Sequence, residues 1–182
     1  MIAALRFFFS LSILFTIFSS YSAYGATILG TQGPDSILGT SKADKIRGFR
    51  GQDNITGRGG DDVIRASQGN DIVNGSQGND FLSGGQNNDI LHGEQGNDEI
   101  YGDKGRDRLF GGEGHDALFG GLSNDYLDGG EGNDMLYGGP GNDTLKVGSG
   151  KDYINCGEGS DEIVDLNRAE GDLFINCEFI IG

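Results

Sequence analysis

Aliphatic residues recur every nine positions along most of this chain. The residues on either side of it vary. The three residues together are expected to point outward, inward and outward, which predicts a very short β-strand. Because the period is short and fixed, the units predict a stacked repeat whose parallel strands bury the aliphatic residues in a thin seam. The fifteen aliphatic positions are Ile37, Ile46, Ile55, Ile64, Val73, Leu82, Leu91, Ile100, Leu109, Leu118, Leu127, Leu136, Leu145, Ile154 and Ile163.

An aspartate stands two residues before every one of these aliphatic residues. The series is Asp35, Asp44, Asp53, Asp62, Asp71, Asp80, Asp89, Asp98, Asp107, Asp116, Asp125, Asp134, Asp143, Asp152 and Asp161. Glycine stands five residues before the aspartate in every unit except those with Ala66, Val147 or Cys156, and two residues before it except at Lys42, Asn87 and Ser123. Glycine tolerates positive φ, as does the asparagine that precedes seven of the aspartates, so each hexad that ends in aspartate predicts a loop.

The glycine content limits how this chain can be stabilised. Glycine accounts for 35 of 182 residues, which disfavours helices and increases the backbone entropy lost on folding. Only one residue in nine belongs to the aliphatic series. The free energy gained by burying these residues is smaller than the free-energy cost of the conformational entropy lost on folding. An interaction besides apolar burial must therefore stabilise the fold.

The charge pattern indicates what that interaction is. The formal net charge is −15, and it becomes −16 if residues 1–25 are removed with Arg6. An acidic chain without a basic stripe disfavours nucleic acid and anionic membranes as partners. Half of the carboxylates are fixed at one phase of the repeat, and clustered carboxylates are the ligands that hard cations prefer.

A different composition precedes the repeats. A short, weakly basic start, an almost wholly apolar run over residues 7–18 and small residues at 23–25 predict a secretory signal over residues 1–25. An uncleaved anchor is the alternative interpretation, although the run is short for a membrane span. We therefore expect residues 26–182 to lie outside the cytoplasm, in the extracellular space, in the periplasm or at the cell surface.

The two cysteines fit such an oxidising compartment. Cys156 begins the last repeat and Cys177 lies in the tail, so a disulfide between them would tie the tail to the end of the stack. Two free thiols, or thiols paired between molecules, are the alternative. Residues 26–164 are thus predicted to form the repeat domain and residues 165–182 a C-terminal cap.

The hexad and the three residues after it resemble the Gly-Gly-x-Gly-x-Asp-x-aliphatic-x nonapeptide of the repeats-in-toxin (RTX, hemolysin-type) calcium-binding proteins. The clearest copies end at Asp98, Asp134 and Asp143. The resemblance implies an all-β fold, a parallel β-roll or right-handed β-solenoid of about fifteen nonapeptide half-turns. Two nonapeptides would make one turn, and calcium would bind between the loops of successive turns.

The resemblance also implies which residues bind calcium. The predicted ligands are Asp53, Asp62, Asp71, Asp80, Asp89, Asp98, Asp107, Asp116, Asp125, Asp134, Asp143, Asp152 and Asp161, with at most 13 sites between turns. Asp35 and Asp44 are predicted to bind more weakly, because Lys42 replaces a loop glycine. In the alternative interpretation the aspartates only cap turns and face water.

We expect a secreted calcium-binding repeat protein that folds when its loops bind calcium, and not an enzyme. His92 and His115 fall at variable repeat positions, which favours surface positions over catalytic roles. The alternative function is a calcium-ordered structural or adhesive module that binds a partner or a second copy. Its surface would be the outward aromatic row of Tyr101, Phe119 and Tyr137, although simple stacking between strands also explains that row.

Overall fold

The computed structural model describes residues 25–164, 171–177 and 179–180. This part of the chain consists of eighteen β-strands joined by short loops, and it contains no helix. The strands are β1 (Thr27–Leu29), β2 (Ser36–Leu38), β3 (Lys45–Arg50), β4 (Asn54–Gly59), β5 (Val63–Gln68), β6 (Ile72–Gln77), β7 (Phe81–Gln86), β8 (Ile90–Gln95), β9 (Glu99–Lys104), β10 (Arg108–Glu113), β11 (Ala117–Leu122), β12 (Tyr126–Glu131), β13 (Met135–Pro140), β14 (Thr144–Lys146), β15 (Tyr153–Glu158), β16 (Glu162–Val164), β17 (Leu173–Ile175) and β18 (Phe179–Ile180).

The strands alternate between two parallel sheets of nine strands each. The odd-numbered strands form the first sheet and the even-numbered strands the second, so each pair of consecutive strands makes one coil. Residues eighteen apart lie opposite each other, as Ile100 and Leu118 do. The predicted all-β parallel roll is confirmed. The fifteen predicted units form β2 to β16, while β1, β17 and β18 extend the two sheets at their ends.

Most strands are twice as long as predicted. Eleven consecutive strands, β3 to β13, contain six residues each, so the first half of each glycine-rich hexad is strand rather than loop. In β10, both Leu109 and Gly111 are buried, which shows a second inward-facing position two residues after the aliphatic one. The hydrophobic pattern of the sequence does not reveal this second position, because it is usually glycine, which has no side chain.

The core is a narrow stack of these two inward rows. Every aliphatic residue of the repeat from Ile55 onward is fully buried. Where the second row lacks glycine, Ala66, Val147 and Cys156 fill it and are also fully buried. The three exceptions in the glycine pattern are therefore core residues.

The predicted disulfide between Cys156 and Cys177 is confirmed, with a Cα–Cα distance of 5.1 Å. It joins the second inward row of β15 to the residues after β17, and no free cysteine is present. Among the described residues, no helix is long and apolar enough to span a membrane. Residues 1–24 of the predicted signal and residues 165–170 of the predicted cap lie outside the described part.

Candidate metal centres

The repeated aspartates form two columns, one along each edge of the roll. Asp35 and every second aspartate after it precede the even-numbered strands, whereas Asp44 and every second one after it precede the odd-numbered strands. From Asp44 to Asp161 all fourteen are buried, with at most 3% of the side chain exposed. The alternative in which these carboxylates face water is therefore wrong for all but the partly exposed Asp35.

One oxygen of each carboxylate links two coils. The backbone N–H of Asp80 donates to Oδ1 of Asp98 at 2.7 Å, and the N–H of Asp98 donates to Oδ1 of Asp116 at 2.8 Å. The carbonyl of Asp80 in turn accepts a hydrogen bond from the N–H of Glu99. The same pattern recurs along both columns, so Oδ1 has a structural partner in every coil interval.

In twelve of the aspartates the second carboxylate oxygen, Oδ2, has no hydrogen-bond partner. A buried acceptor without a hydrogen bond destabilises a fold by about 1–3 kcal/mol, and more when it is charged, so native structures rarely retain one. Here a buried, unpaired Oδ2 occurs in twelve of the thirteen loops that end at the aspartates from Asp53 to Asp161. Such regular repetition indicates a binding site in each loop rather than an isolated defect. The residues whose Oδ2 is buried without a hydrogen-bond partner are Asp53, Asp62, Asp71, Asp80, Asp89, Asp98, Asp107, Asp116, Asp125, Asp134, Asp143 and Asp161.

The glycine five residues before the aspartate, present in every unit except those of Ala66, Val147 and Cys156, makes room for this oxygen. A Cβ added to Gly93 would lie 2.2 Å from Oδ2 of Asp98 and 2.7 Å from the carbonyl oxygen of Gly111, one coil further on. The same two kinds of oxygen crowd the equivalent position at Gly111, where Oδ2 of Asp116 and the carbonyl of Gly129 both lie at 2.4 Å. Carboxylate and carbonyl oxygens therefore converge on a small space that a side chain would fill.

Positive φ angles shape the rest of each loop. In the loop before Asp98, Glu94 has φ of 80° and Gly96 has φ of 130°. A Cβ on Gly96 would lie 1.8 Å from the carbonyl oxygen of Gly78, so both conformation and close approach require glycine there. Asn87 and Ser123, which replace this glycine in two loops, also have positive φ, at 78° and 91°.

Asparagine before the aspartate has a different role from the predicted one. None of these asparagines has positive φ. Their side chains instead form a ladder in which Asn97 N–H donates to Oδ1 of Asn79, and His115 N–H donates to Oδ1 of Asn97, each at 2.8 Å. His115 continues the ladder, because its Nδ1 accepts from Asn133 N–H. The conformational explanation was wrong, and the eighteen-residue spacing of the asparagines was the signal that could have revealed the ladder.

Burial makes the aspartate charges unfavourable. Desolvation raises the pKa of Asp89 to about 8, even though a backbone hydrogen bond from Asp71 lowers it, and Asp107 and Asp71 raise it further. Desolvation likewise raises the pKa of Asp62, Asp116 and Asp125 to about 7. Six others are raised to about 6 for the same principal reason, namely Asp53, Asp80, Asp98, Asp107, Asp134 and Asp143. A cation between coils would favour the ionised form that burial opposes.

The first two loops close without a cation. The backbone N–H of Thr40 donates to Oδ2 of Asp44 at 2.6 Å, and the Thr40 hydroxyl donates to Oδ1 at 3.0 Å. Thr31 makes the equivalent bonds to Asp35, from its N–H to Oδ2 at 2.5 Å and from its hydroxyl to Oδ1 at 3.1 Å. No residue from 31 to 44 has positive φ. Both carboxylate oxygens are thus satisfied in these loops, whose conformation differs from the later ones.

The donor set suits a hard cation. No three side chains of His, Cys, Asp or Glu in the described residues group closely enough to hold a metal ion by themselves. Any ligand shell here must add loop carbonyl oxygens to the carboxylates, and calcium prefers such all-oxygen shells with six to eight ligands. The orphaned Oδ2 atoms and the converging carbonyls fit calcium, which the residues around Asp98 and its equivalents would hold.

The aromatic row lies on the first sheet as predicted. Tyr101 and Phe119 stack with ring centroids 4.6 Å apart, and Phe119 and Tyr137 stack at 4.9 Å, with nearly parallel planes. Phe81 and Tyr153 continue the row at its two ends in tilted contacts. Because the ring faces contact one another, stacking between strands explains this row. His92 similarly stacks on Phe110 at 4.6 Å in the second sheet.

Comparison with protein-family models gives a match over most of the roll. The family described as RTX calcium-binding nonapeptide repeat (4 copies) matches residues 29–64, 56–91, 65–100, 83–118, 92–127, 101–136 and 128–163. These overlapping segments run without a gap from β1 to β16. The comparison with curated proteins found no relative that matches the chain.

Proposed function

This chain belongs to the family of RTX calcium-binding nonapeptide repeats, and we propose that calcium drives the folding of its roll outside the cytoplasm. The family assigns it a structural, calcium-binding β-roll. The residues that bind the ions, their number, the coupling to folding and the compartment are the further parts of the proposal.

The orphaned carboxylate oxygens carry the proposal. In the family, calcium binds these repeats, and the buried Oδ2 atoms are the groups that lack a partner in this fold. Two aspartates of one column lie about one strand spacing apart, roughly 4.8 Å, where like charges repel. An ion between them would replace this repulsion by attraction and complete the coordination of both.

We assign the ion sites to the aspartates from Asp53 to Asp161. Fifteen loops give thirteen intervals between stacked aspartates. The intervals that begin at Asp35 and Asp44 are closed by Thr31 and Thr40, so the proposal places at most eleven ions. The twelve orphaned oxygens support this division, because none of them belongs to the first two loops.

Folding and ion binding are coupled in this proposal. Without calcium, the roll would have to bury many aspartates at neutral pH. Their raised pKa values show that burial disfavours the ionised carboxylate, which is the form that the unfolded chain carries. The free chain is therefore expected to be disordered, and calcium would order it. We further propose that residues 1–25 are a secretory signal, that residues 26–164 form the roll and that residues 165–182 cap it. The disulfide supports an oxidising compartment.

The test is a calcium titration of residues 26–182 at neutral pH. Far-ultraviolet circular dichroism should show a cooperative gain of β signal, and native mass spectrometry should count the ions. Asp98→Asn keeps an acceptor for Asp80 N–H but removes a charge from two intervals, so it should reduce the ion count and raise the calcium midpoint.

Asp61→Asn is the matched control for that variant. Asp61 is exposed and accepts from Asn79 N–H through Oδ1, an interaction that asparagine also makes. The control should bind the same number of ions as the unmodified chain. A chain that is fully folded in chelator and indifferent to calcium would contradict the proposed function.

A further inference from the structure

Although the overall composition indicated no basic stripe, basic residues are concentrated in the first coils of the roll. Residues 26–65 contain six of the twelve Lys and Arg residues that follow the predicted signal, together with five Asp and no Glu. Residues 66–182 contain the other six basic residues and twenty-three acidic ones. A strongly acidic chain therefore has one end that is not acidic, and three of the five aspartates at that end are buried loop residues.

Five of these basic side chains form what we call the basic belt: Lys45, Arg47, Arg50, Arg58 and Arg65. All five are exposed. Within the described residues none of them forms an ion pair, although acidic residues outnumber basic ones more than twofold in the chain. Ion pairing within the chain therefore does not account for the belt.

The centre of the belt places two like charges side by side. Arg47 and Arg65 lie directly opposite each other on β3 and β5. Like charges in this relation destabilise a sheet unless something neutralises them. Each guanidinium lies over an aromatic ring, Arg47 over Phe49 at 4.5 Å and Arg65 over Phe81 at 5.1 Å, which restricts its orientation.

The same chain carries a complementary surface further along. Glu94, Glu113 and Glu131 line an open groove at the C-terminal ends of strands β6 to β12 in the second sheet. Glu113 and Glu131 lie directly opposite each other on β10 and β12, so their spacing equals that of Arg47 and Arg65. All three glutamates are exposed, and no basic side chain lines the groove.

We propose that the basic belt of one molecule docks into the glutamate groove of a second copy. The two in-register pairs would meet as Arg47 and Arg65 against Glu113 and Glu131. A single contact of this kind leaves the groove of one molecule and the belt of the other free. The pairing that we propose is head-to-tail and extends into longer assemblies.

Calcium controls this contact, and the inference here rests on the proposed function. The free chain has a net charge near −16, so two copies repel. Each calcium ion adds two positive charges, and eight of them bring the net charge to zero. Calcium also orders the strands that hold both charge pairs in register.

Sedimentation velocity of residues 26–182 in saturating calcium tests the proposal. At about 0.02 M salt the unmodified chain should form species larger than a monomer, and these should dissociate at about 0.3 M salt as screening increases. The double variant Arg47→Glu with Arg65→Glu should associate at least about tenfold more weakly, and so should Glu113→Arg with Glu131→Arg.

Mixing the two double variants is the decisive measurement. Each has lost its own contact, but the reversed belt of one matches the reversed groove of the other, so the mixture should regain hetero-dimers. Lys104→Glu with Arg106→Glu alters the net charge by the same amount as the belt variant at exposed residues outside both surfaces, and should associate as the unmodified chain does.

Two results would overturn the inference. One is a chain that circular dichroism shows to be calcium-folded but that stays monomeric at low salt, which leaves the proposed function intact. The other is binding of a sulfated polymer such as dextran sulfate by the folded monomer through Arg47 and Arg65, which would assign the belt to a polyanion. Absence of any calcium-induced folding would instead count against the proposed function.

Discussion

Acid should replace calcium in folding this roll. The carboxyl of Asp98 has a pKa of about 6 in the fold, against 3.8 for the ordinary group. At about pH 7.5 the unfolded chain is ionised at this residue, so the folded state is disfavoured by about 3 kcal/mol relative to low pH. Ten aspartates have pKa values raised to between about 6 and about 8, which gives an upper limit of roughly 35 kcal/mol. Typical domain stabilities are only about 5–15 kcal/mol.

The sign follows from which state binds protons more tightly. Because the folded pKa is the higher one, the fold is most stable below about pH 4, where both states are protonated, and loses stability as the pH rises through 6 to 8. In calcium-free buffer with chelator, the chain should therefore be disordered at about pH 7.5 and gain β structure towards about pH 4.5.

Far-ultraviolet circular dichroism across this pH range measures the effect. Asp98→Asn provides an internal check, since it removes one of the charges and should move the acid-folding midpoint to higher pH. The same variant should need more calcium to fold at neutral pH, so its effect should reverse between the two conditions. A calcium-free chain whose β content is the same at both pH values would refute the reasoning.

Two further predictions concern the loops and the core. Thr31→Gly together with Thr40→Gly removes the hydroxyls that bind Asp35 and Asp44, and it permits the positive φ that Ser76 and its equivalents adopt in the later loops. The double variant should raise the ion count in native mass spectrometry from at most eleven to at most thirteen. Ser76→Gly, at the same position of a later loop, should leave the count unchanged. Leu109→Ala should lower the free energy of unfolding in saturating calcium by about 2–5 kcal/mol in urea denaturation, because Leu109 is fully buried. Leu122→Ala is its control, since Leu122 is 47% exposed and should change stability by no more than about 0.5 kcal/mol.

The nine-residue period determined most of the fold at the sequence level. It fixed which residues stack, and therefore the two sheets, the register and the buried aliphatic row. It did not show the second inward row, because glycine at Gly111 and its equivalents has no side chain to reveal a buried position. Ala66, Val147 and Cys156 were the available signal, since three small or apolar residues at one phase indicate burial.

The candidate site was predicted only as far as residue types and spacing allow. The period places Asp98 over Asp80, but it does not indicate which carboxylate oxygen meets the backbone. The period also does not show that hydrogen bonds from threonine distinguish the first two loops from the later ones. Lys42 pointed to a weak loop because it replaces a loop glycine. The structure gives a different reason, since the N–H and hydroxyl groups of Thr31 and Thr40 satisfy both oxygens of Asp35 and Asp44.

Neighbouring residues at each edge of the roll connect the coils in opposite directions. In the asparagine ladder the later coil donates its backbone N–H to the side chain of the earlier one, as Asn97 does to Asn79. In the aspartate column the earlier coil donates to the later side chain, as Asp80 does to Asp98. An asparagine at the aspartate position could make the second bond equally well, so that bond does not explain the aspartate. What asparagine lacks is a second anionic oxygen, and that oxygen is the atom left without a hydrogen bond in the fold. The coil-to-coil hydrogen bond therefore does not account for aspartate at this phase, whereas the proposed cation, paired with this second oxygen, would.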